Sequence, residues 1–412
     1  MNNKELFKKN IIEACVNGNI TVKFASQRLG FSERYVKKLK QQFKLKGDEI
    51  FLHGNCCKQP VSTISPSVKS KVVELKLSDK YSEANIKHFT ELLAEYENIS
   101  LSYSTVHRIL KSVDIKSPRK HKDKKVHARR MPKSQKGIML QTDGTPHEFF
   151  KGDFKKYSLH GFIDDATGIV TGLYLCENEC LQGYLEITRQ TLRNFGIPQS
   201  IYADGTNVFF SNNSKELTIE EQLSGLKKHT TQFGEIAEFL GIELIHAHSP
   251  QAKGKIERLW NTLHDRLRVE FTINNITTIE QANIFLKDYI KKYNRQFAKK
   301  PANKKSAFVP LPKGINLDRL LSAKFIRVPD SSNTISFNSQ SFKIDCKECL
   351  HKKKITILIN KKIGMKALYN DNLYNLIPIL NNTITSSNDI SDSIESIISN
   401  FIYFHCFRNI KA

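Results

Sequence analysis

GIMLQTDGTPHEFFKGDFKKYSLHGFIDDATGIVTGLYLC, residues 137–176, decides the fold. It contains three apolar, strand-like runs: GIMLQTD (137–143), SLHGFID (158–164) and IVTGLYLC (169–176). Asp164 and Asp165, in IDDATG, read as an Asx-type turn closing a hairpin between the second and third runs. Downstream the period changes. A helical stretch covers about 179–195 and the short strand SIYAD follows at 200–204. After a polar insertion at 211–231, a helix at 232–240 leads to the strand IELIHA at 242–247, and a last helix begins near Ala252. Three strands followed by helix and strand in alternation predict a mixed α/β sheet.

That succession is the one found in ribonuclease H-like domains, here spanning 137–300. Working outward, residues 4–16, 21–29 and 33–44 read as helices, the last two joined by Leu-Gly-Phe-Ser. Gly30 suits the left-handed turn position and Ser32 the following N-cap. This is the length and chemistry of a helix-turn-helix within 1–58, its second helix exposing Arg34, Lys37, Lys38 and Lys40 to DNA. A second helix-turn-helix or winged-helix-like module is expected over 62–115, with helices at 66–78, 84–98 and 102–113. Ser102 caps the last of these, and Val106, Ile109, Leu110 and Val113 form its apolar stripe. His107, Arg108 and Lys111 lie off that stripe, within reach of a phosphate. After Lys300 the short segments KFIRV, TISFNS, SFKID, KKITILI and MKALYN predict a small β-barrel over 301–380, with turns at Pro329-Asp330 and Asn370-Asp371. Residues 381–412 read as a tail, disordered over 381–399. The expected architecture is therefore multidomain: N-terminal all-α modules, a central α/β core and a C-terminal small barrel.

The chain has 412 residues, with 64 Lys+Arg against 41 Asp+Glu, a formal charge of +23. Residues 1–140 carry +16 of it and the remainder +7. The densest run, KSPRKHKDKKVHARRMPKSQK at 116–136, has ten cations, Arg129 and Arg130 among them, opposed by Asp123 alone. Such a run stays extended until a polyanion neutralises it, and nucleic acid is the expected polyanion. No apolar run approaches the ~20 residues of a membrane span. The polar N-terminus does not read as a secretory signal, so a cytoplasmic location is expected. The eight cysteines are expected to be reduced, and Cys346/Cys349 with His351 lacks a second ligand pair at usable spacing for zinc, although Cys56, Cys57 and His53 could be invoked.

The chemistry is expected at three acids. Asp143 is placed at the end of the first strand, in LQTDGTP, and Asp204 at the end of the fourth, in IYADGT. Glu257 lies on the last helix, in HSPQAKGKIERLW (248–260). Three hard oxygen donors suffice for two divalent cations, Mg²⁺ or Mn²⁺, clamping the attacking and leaving oxygens of a phosphoryl displacement. Lys253, four residues before Glu257, is expected on the same helix face, against the DNA backbone, with Lys255 and Arg258 on neighbouring faces and Asn261 continuing the Glu257 face. His147 and His160 read as satisfied or surface histidines, and Trp260 as packing the helix on the sheet. His246 and His248 flank the turn into the helix.

These residues carry a family resemblance. The acids Asp143, Asp204 and Glu257 resemble the DDE triad of transposases and retroviral-type integrases. FLHGN, DGTPHEFF, LHGFIDDATG, IPQSIYADG and FLGIELIHAHSPQAKGKIERLWNTLHDRL are similar to segments of ISNCY-type insertion-sequence transposases. The resemblance covers about residues 10–375. It implies a ribonuclease H-like integrase core, the three acids as catalytic metal ligands, and terminal inverted repeats of a mobile element as substrate. Double-stranded DNA, both element ends and target, would be the partner of a homo-oligomer associated with the bacterial nucleoid. The alternatives are a nuclease that never joins strands, a non-catalytic DNA-binding regulator derived from a transposase, and an RNA–DNA hybrid nuclease.

Overall fold

The computed structural model describes residues 3–51, 63–118, 131–211, 230–247, 253–337 and 340–379. The chain divides into two compact units, Met1–Val72 and Val73–Ala412. Arg129, Arg130, His53, Cys56, Cys57, His248 and the 381–412 tail lie outside the described residues.

The first unit is helical: α1 (Asn3–Val16), α2 (Val22–Leu29) and α3 (Glu33–Lys46), then a 3-10 turn at Gly47–Phe51. Its boundaries follow from capping. The Thr21 hydroxyl accepts the Phe24 N–H, Gly30 takes the left-handed conformation (φ +69°), and the Ser32 hydroxyl accepts the Tyr35 N–H. Ile12, Cys15, Ala25, Val36, Leu39 and Phe51 close one small core.

Helix α4 (Pro66–Leu77) straddles the division, and the second unit continues with α5 (Ile86–Tyr96) and α6 (Tyr103–Ser112), capped by Asn85 and Ser102. The central sheet comprises β1 (Met139–His147), β2 (Tyr157–Asp164), β3 (Val170–Cys176), β4 (Ser200–Ala203) and β5 (Glu243–His246), in the order β3-β2-β1-β4-β5. The first three strands are mutually antiparallel, whereas β4 and β5 run parallel to β1. Helices α7 (Leu181–Asn194) and α8 (Gln232–Phe239) share one core with Leu140, Phe162 and Ile201. A second core joins Leu159, Ile163 and Leu173 to α9 (Gly254–Ile273) and α10 (Ile279–Phe297). Trp260 is buried within it, as the sequence predicts.

Asp164 and Asp165 are structural. Asp164 accepts the Thr167 N–H and hydroxyl and the Gly137 N–H, and Asp165 accepts the Lys133 N–H and the Gln141 amide. The Asx-type turn is present as expected.

After the short α11 (Leu317–Leu320) come β6 (Ala323–Arg327), β7 (Thr334–Phe337), β8 (Gln340–Ile344), β9 (Ile355–Asn360), β10 (Gly364–Tyr369) and β11 (Asn372–Ile379). The last of these strands escaped the sequence reading. Asn370 and Asp371, both at positive φ, make the β10–β11 turn. The order β6-β9-β10-β11-β8-β7 describes a half-barrel where the sequence predicts a small β-barrel. The edge strands β6 and β7 meet through side chains instead of a ladder. Phe325 lies 5.4 Å from Phe337, centroid to centroid, and Arg327 Nε donates to the Ser336 carbonyl. Closing the ladder would require matched tilt and stagger around the ring, and the aromatic contact fills that gap instead. Among the described residues no helix is long and apolar enough to cross a membrane.

Candidate active site

Asp143 and Asp204 converge because β1 and β4 are parallel neighbours, in register from Met139/Ser200 to Gln141/Tyr202. Asp204 follows directly on β4, as expected. Asp143 does not end its strand: β1 continues to His147, with Asp143 opposite Gly161 and Gly144 opposite His160. Gly144 is therefore not a turn residue. A β-carbon there would stand 2.9 Å from the Glu179 carboxyl carbon, so the glycine makes room for an acid. Gly205 serves similarly, since its β-carbon would meet His246 Nε2 at 2.5 Å.

Helix α9 is anchored on the same strand. Its first turn has no side-chain cap of its own, and the Ile256 N–H is instead accepted by Gln141 Oε1 at 3.2 Å. Gln141 lies two residues before Asp143 and so on the same face of β1. This bond sets the start of α9 beside the acids. The helix begins at Gly254, so Lys253 precedes it instead of sharing the Glu257 face.

The Lys253 ammonium stands 3.3 Å from Asp143 Oδ1 and 3.3 Å from Asp204 Oδ2. Burial raises the Asp143 carboxyl above the ordinary carboxylate range; Lys253 opposes that rise, while Asp204 and Glu179 add to it. Asp204 Oδ1 is buried with no hydrogen-bond partner, as is the Thr206 hydroxyl two residues on. Glu179 is held by the Tyr184 hydroxyl, which donates to its Oε1 at 2.6 Å. Glu179 and Tyr184 were missed from sequence. Their only local signal is an acid just before a helix, which is ordinary.

The donor set fits a hard cation. Two carboxylates already enclose one positive charge, and Asp204 Oδ1 has an unused lone-pair site. Glu257 is exposed on the first turn of α9. Among the described residues no three His, Cys, Asp or Glu side chains are grouped to hold a metal ion, so Glu257 does not close on the pair.

The expected DNA contacts divide. Arg34, Lys37 and Lys38 are exposed on α3, whereas Lys40 turns inward and its Nζ donates to the Cys15 carbonyl at 2.8 Å. His107, Arg108 and Lys111 are exposed on α6. His107 and Lys111 line a cleft of about 1210 Å³ with Asn261, Thr262, His264 and Arg266 of α9, one to three turns beyond Glu257. Arg258 is exposed and Lys255 half-buried. His160 is fully buried, and its Nε2 accepts the Cys180 N–H.

No protein-family model matches the chain. It is 32% identical over 416 residues to the transposase for insertion sequence IS1202 of Streptococcus pneumoniae, covering 92% of this chain and 87% of that protein. It is 28% identical over 348 residues to the putative transposase y4bF of Sinorhizobium fredii, covering 84% and 74%. Among solved structures, the HTLV-2 integrase catalytic core domain in complex with magnesium (trimeric form) is similar over 42% of this chain and 94% of that one. The TM-score is 0.29 and the identity 18%.

Proposed function

The chain belongs to the insertion-sequence transposases, and on that premise we propose that it binds the terminal inverted repeats of its element and catalyses metal-dependent strand cleavage and strand transfer. The observation that carries the chemistry is the convergence of Asp143 and Asp204 from adjacent parallel strands around a single cationic seat. The strand order β3-β2-β1-β4-β5, with helices on both faces, supports a ribonuclease H-like core.

Asp143, Asp204 and Glu257 would hold Mg²⁺ or Mn²⁺, two ions in all, with Glu257 closing on the pair when metal and DNA are bound. Bound there, divalent ions would activate a water or 3′-hydroxyl and stabilise the leaving oxygen of the scissile phosphodiester. The chain's own residues do the rest. The Gln141–Ile256 bond fixes the helix that presents Glu257. Arg258 and Lys255 flank that acid with positive charge for the phosphates. Residues 1–58, through Arg34, Lys37 and Lys38, and 62–115, through His107, Arg108 and Lys111, would bind the element ends. The basic stretch 116–136 would track the backbone, and the half-barrel would support DNA binding or assembly of a homo-oligomer.

The test is an assay with Mg²⁺ and a duplex ending in a 3′-hydroxyl, cut from the DNA flanking its gene. Joined products support the transposase, nicks alone a nuclease, and binding alone a regulator. Asp143→Asn is expected to retain DNA binding and to lose cleavage by a factor of about a thousand or more. Normal cleavage by that variant would remove the acid pair from the mechanism.

A further inference from the structure

Lys253 is placed where a phosphate contact does not account for it. A lysine directed at DNA extends its stem along the surface and keeps its head in water. The Lys253 side chain is only 9% exposed, and its ammonium lies between the two carboxylates from β1 and β4. Nothing in α9 requires this: Lys253 makes no side-chain cap of the helix, and the Ile256 N–H is served by Gln141.

The electrostatics give a reason. Two carboxylates facing one seat repel each other, and a cation between them offsets that repulsion. An ammonium does so with one charge and N–H donors, whereas a divalent ion brings two charges and binds the oxygens directly. The lysine is an incomplete occupant, because Asp204 Oδ1 stays buried and unpartnered beside it. An ammonium and a metal ion cannot both sit between Asp143 Oδ1 and Asp204 Oδ2.

We infer that Lys253 is an internal counter-cation of the acid pair: it holds Asp143 and Asp204 together without metal, competes with a divalent ion for their shared seat, and, when displaced, pairs with a phosphate of the bound DNA strand. The inference rests on the reading of Asp143 and Asp204 as metal ligands. Its functional consequence is coupling. Metal alone must evict the lysine from both carboxylates, whereas bound DNA offers it a phosphate, so metal and DNA strengthen each other's binding.

The test uses the full chain and Mn²⁺ alone, titrated by calorimetry into wild type, Lys253→Gln, Lys253→Arg and Asp143→Asn. Lys253→Gln should bind Mn²⁺ about tenfold more tightly than wild type, since two charge-assisted contacts no longer have to be broken. Lys253→Arg, which keeps the charge, should stay near wild type, and Asp143→Asn should lose the binding. A short duplex with a 3′-hydroxyl end should tighten Mn²⁺ binding to wild type much more than to Lys253→Gln. Equal Mn²⁺ affinity in wild type and Lys253→Gln, with Asp143→Asn still abolishing binding, overturns the counter-cation and leaves the metal reading standing. Mn²⁺ binding that is absent, or indifferent to Asp143→Asn, overturns both. If Lys253→Gln does not fold, the wild-type titration decides: no gain in Mn²⁺ affinity on adding duplex refutes the coupling.

Discussion

His147 and His264 stack ring on ring, 4.1 Å between centroids and 13° from parallel, with the Thr145 hydroxyl 3.2 Å from His264 Nε2. Burial, with His147 alongside, lowers His264 to about 4, and burial lowers His147 as well. The unfolded chain therefore takes up a proton near pH 6.5 that the folded His264 refuses until about 4. Stability is complete above pH 6.5 and is lost as the pH falls through that window, by about 1–3 kcal/mol. Urea midpoints compared at about pH 7.5 and about pH 4.5 should show this loss in wild type and a smaller one in His264→Phe. An equal loss in both would assign the acid sensitivity elsewhere. At the same scale, the sequence reading that ended the first strand at Asp143, just before Gly144, failed for a definite reason. The neighbour that demands a missing side chain there is Glu179, 35 positions away, and no local pattern announces it.

Strand β3 is an edge of the central sheet, yet its outward backbone groups are paired. Three side-chain amides act as substitute strands. Asn294 bonds both the N–H and C=O of Val170, Gln190 those of Leu173, and Asn283 those of Leu175, at 2.8–3.1 Å. An open edge invites pairing with another chain, and these amides close it from α7 and α10. Asn283→Leu would leave the Leu175 amide and carbonyl unpaired. It should cost about 1–3 kcal/mol, read as a lower thermal midpoint, and raise self-association in sedimentation. Unchanged stability and a wholly monodisperse variant would show that the amide is dispensable. The half-barrel teaches the complementary lesson. Five of its six strands are legible from alternation, but whether β6 and β7 close depends on a contact between Phe325 and Phe337, twelve residues apart in sequence.

Across the whole Val73–Ala412 unit, helices read as a separate module are fixed to the core by charge. Arg266 Nη1 donates to Glu91 at 2.6 Å, and Lys292 bridges Glu95 at 2.6 Å and Glu270 at 2.8 Å. His88, fully buried, completes the cluster at 3.3 Å from Glu270. Burial pushes the Glu270 carboxyl up, but the bonds from His88 and Lys292 outweigh it and hold the group below its ordinary value. Removing one partner of a buried pair strands the other. Lys292→Met should therefore cost about 2–3 kcal/mol, less than a fully buried pair because Lys292 is partly exposed and His88 remains. Trp260, the single tryptophan, sits in this unit and reports the shift as a lower denaturant midpoint of its fluorescence. An unmoved midpoint would mean the cluster contributes nothing to the docking. With a formal charge of +23, DNA affinity should also fall steeply with salt, and a flat salt response would argue against backbone tracking.

The sequence by itself determined the order of elements as far as β10, the capped ends of α2, α3 and α6, the Asx turn at Asp164, and the two aspartates that meet. All of these depend on side-chain period and on bonds spanning a few residues, which a linear string records. Only the tertiary structure decided that Lys253 faces inward to both acids, that Glu179 and Tyr184 border them, that Lys40 caps α1 and that the half-barrel's edges meet through aromatic rings. Each of those depends on which distant segments the sheet brings within a few ångströms, and there a lysine's charge is answered by the nearest carboxylates, whatever its position along a helix would suggest.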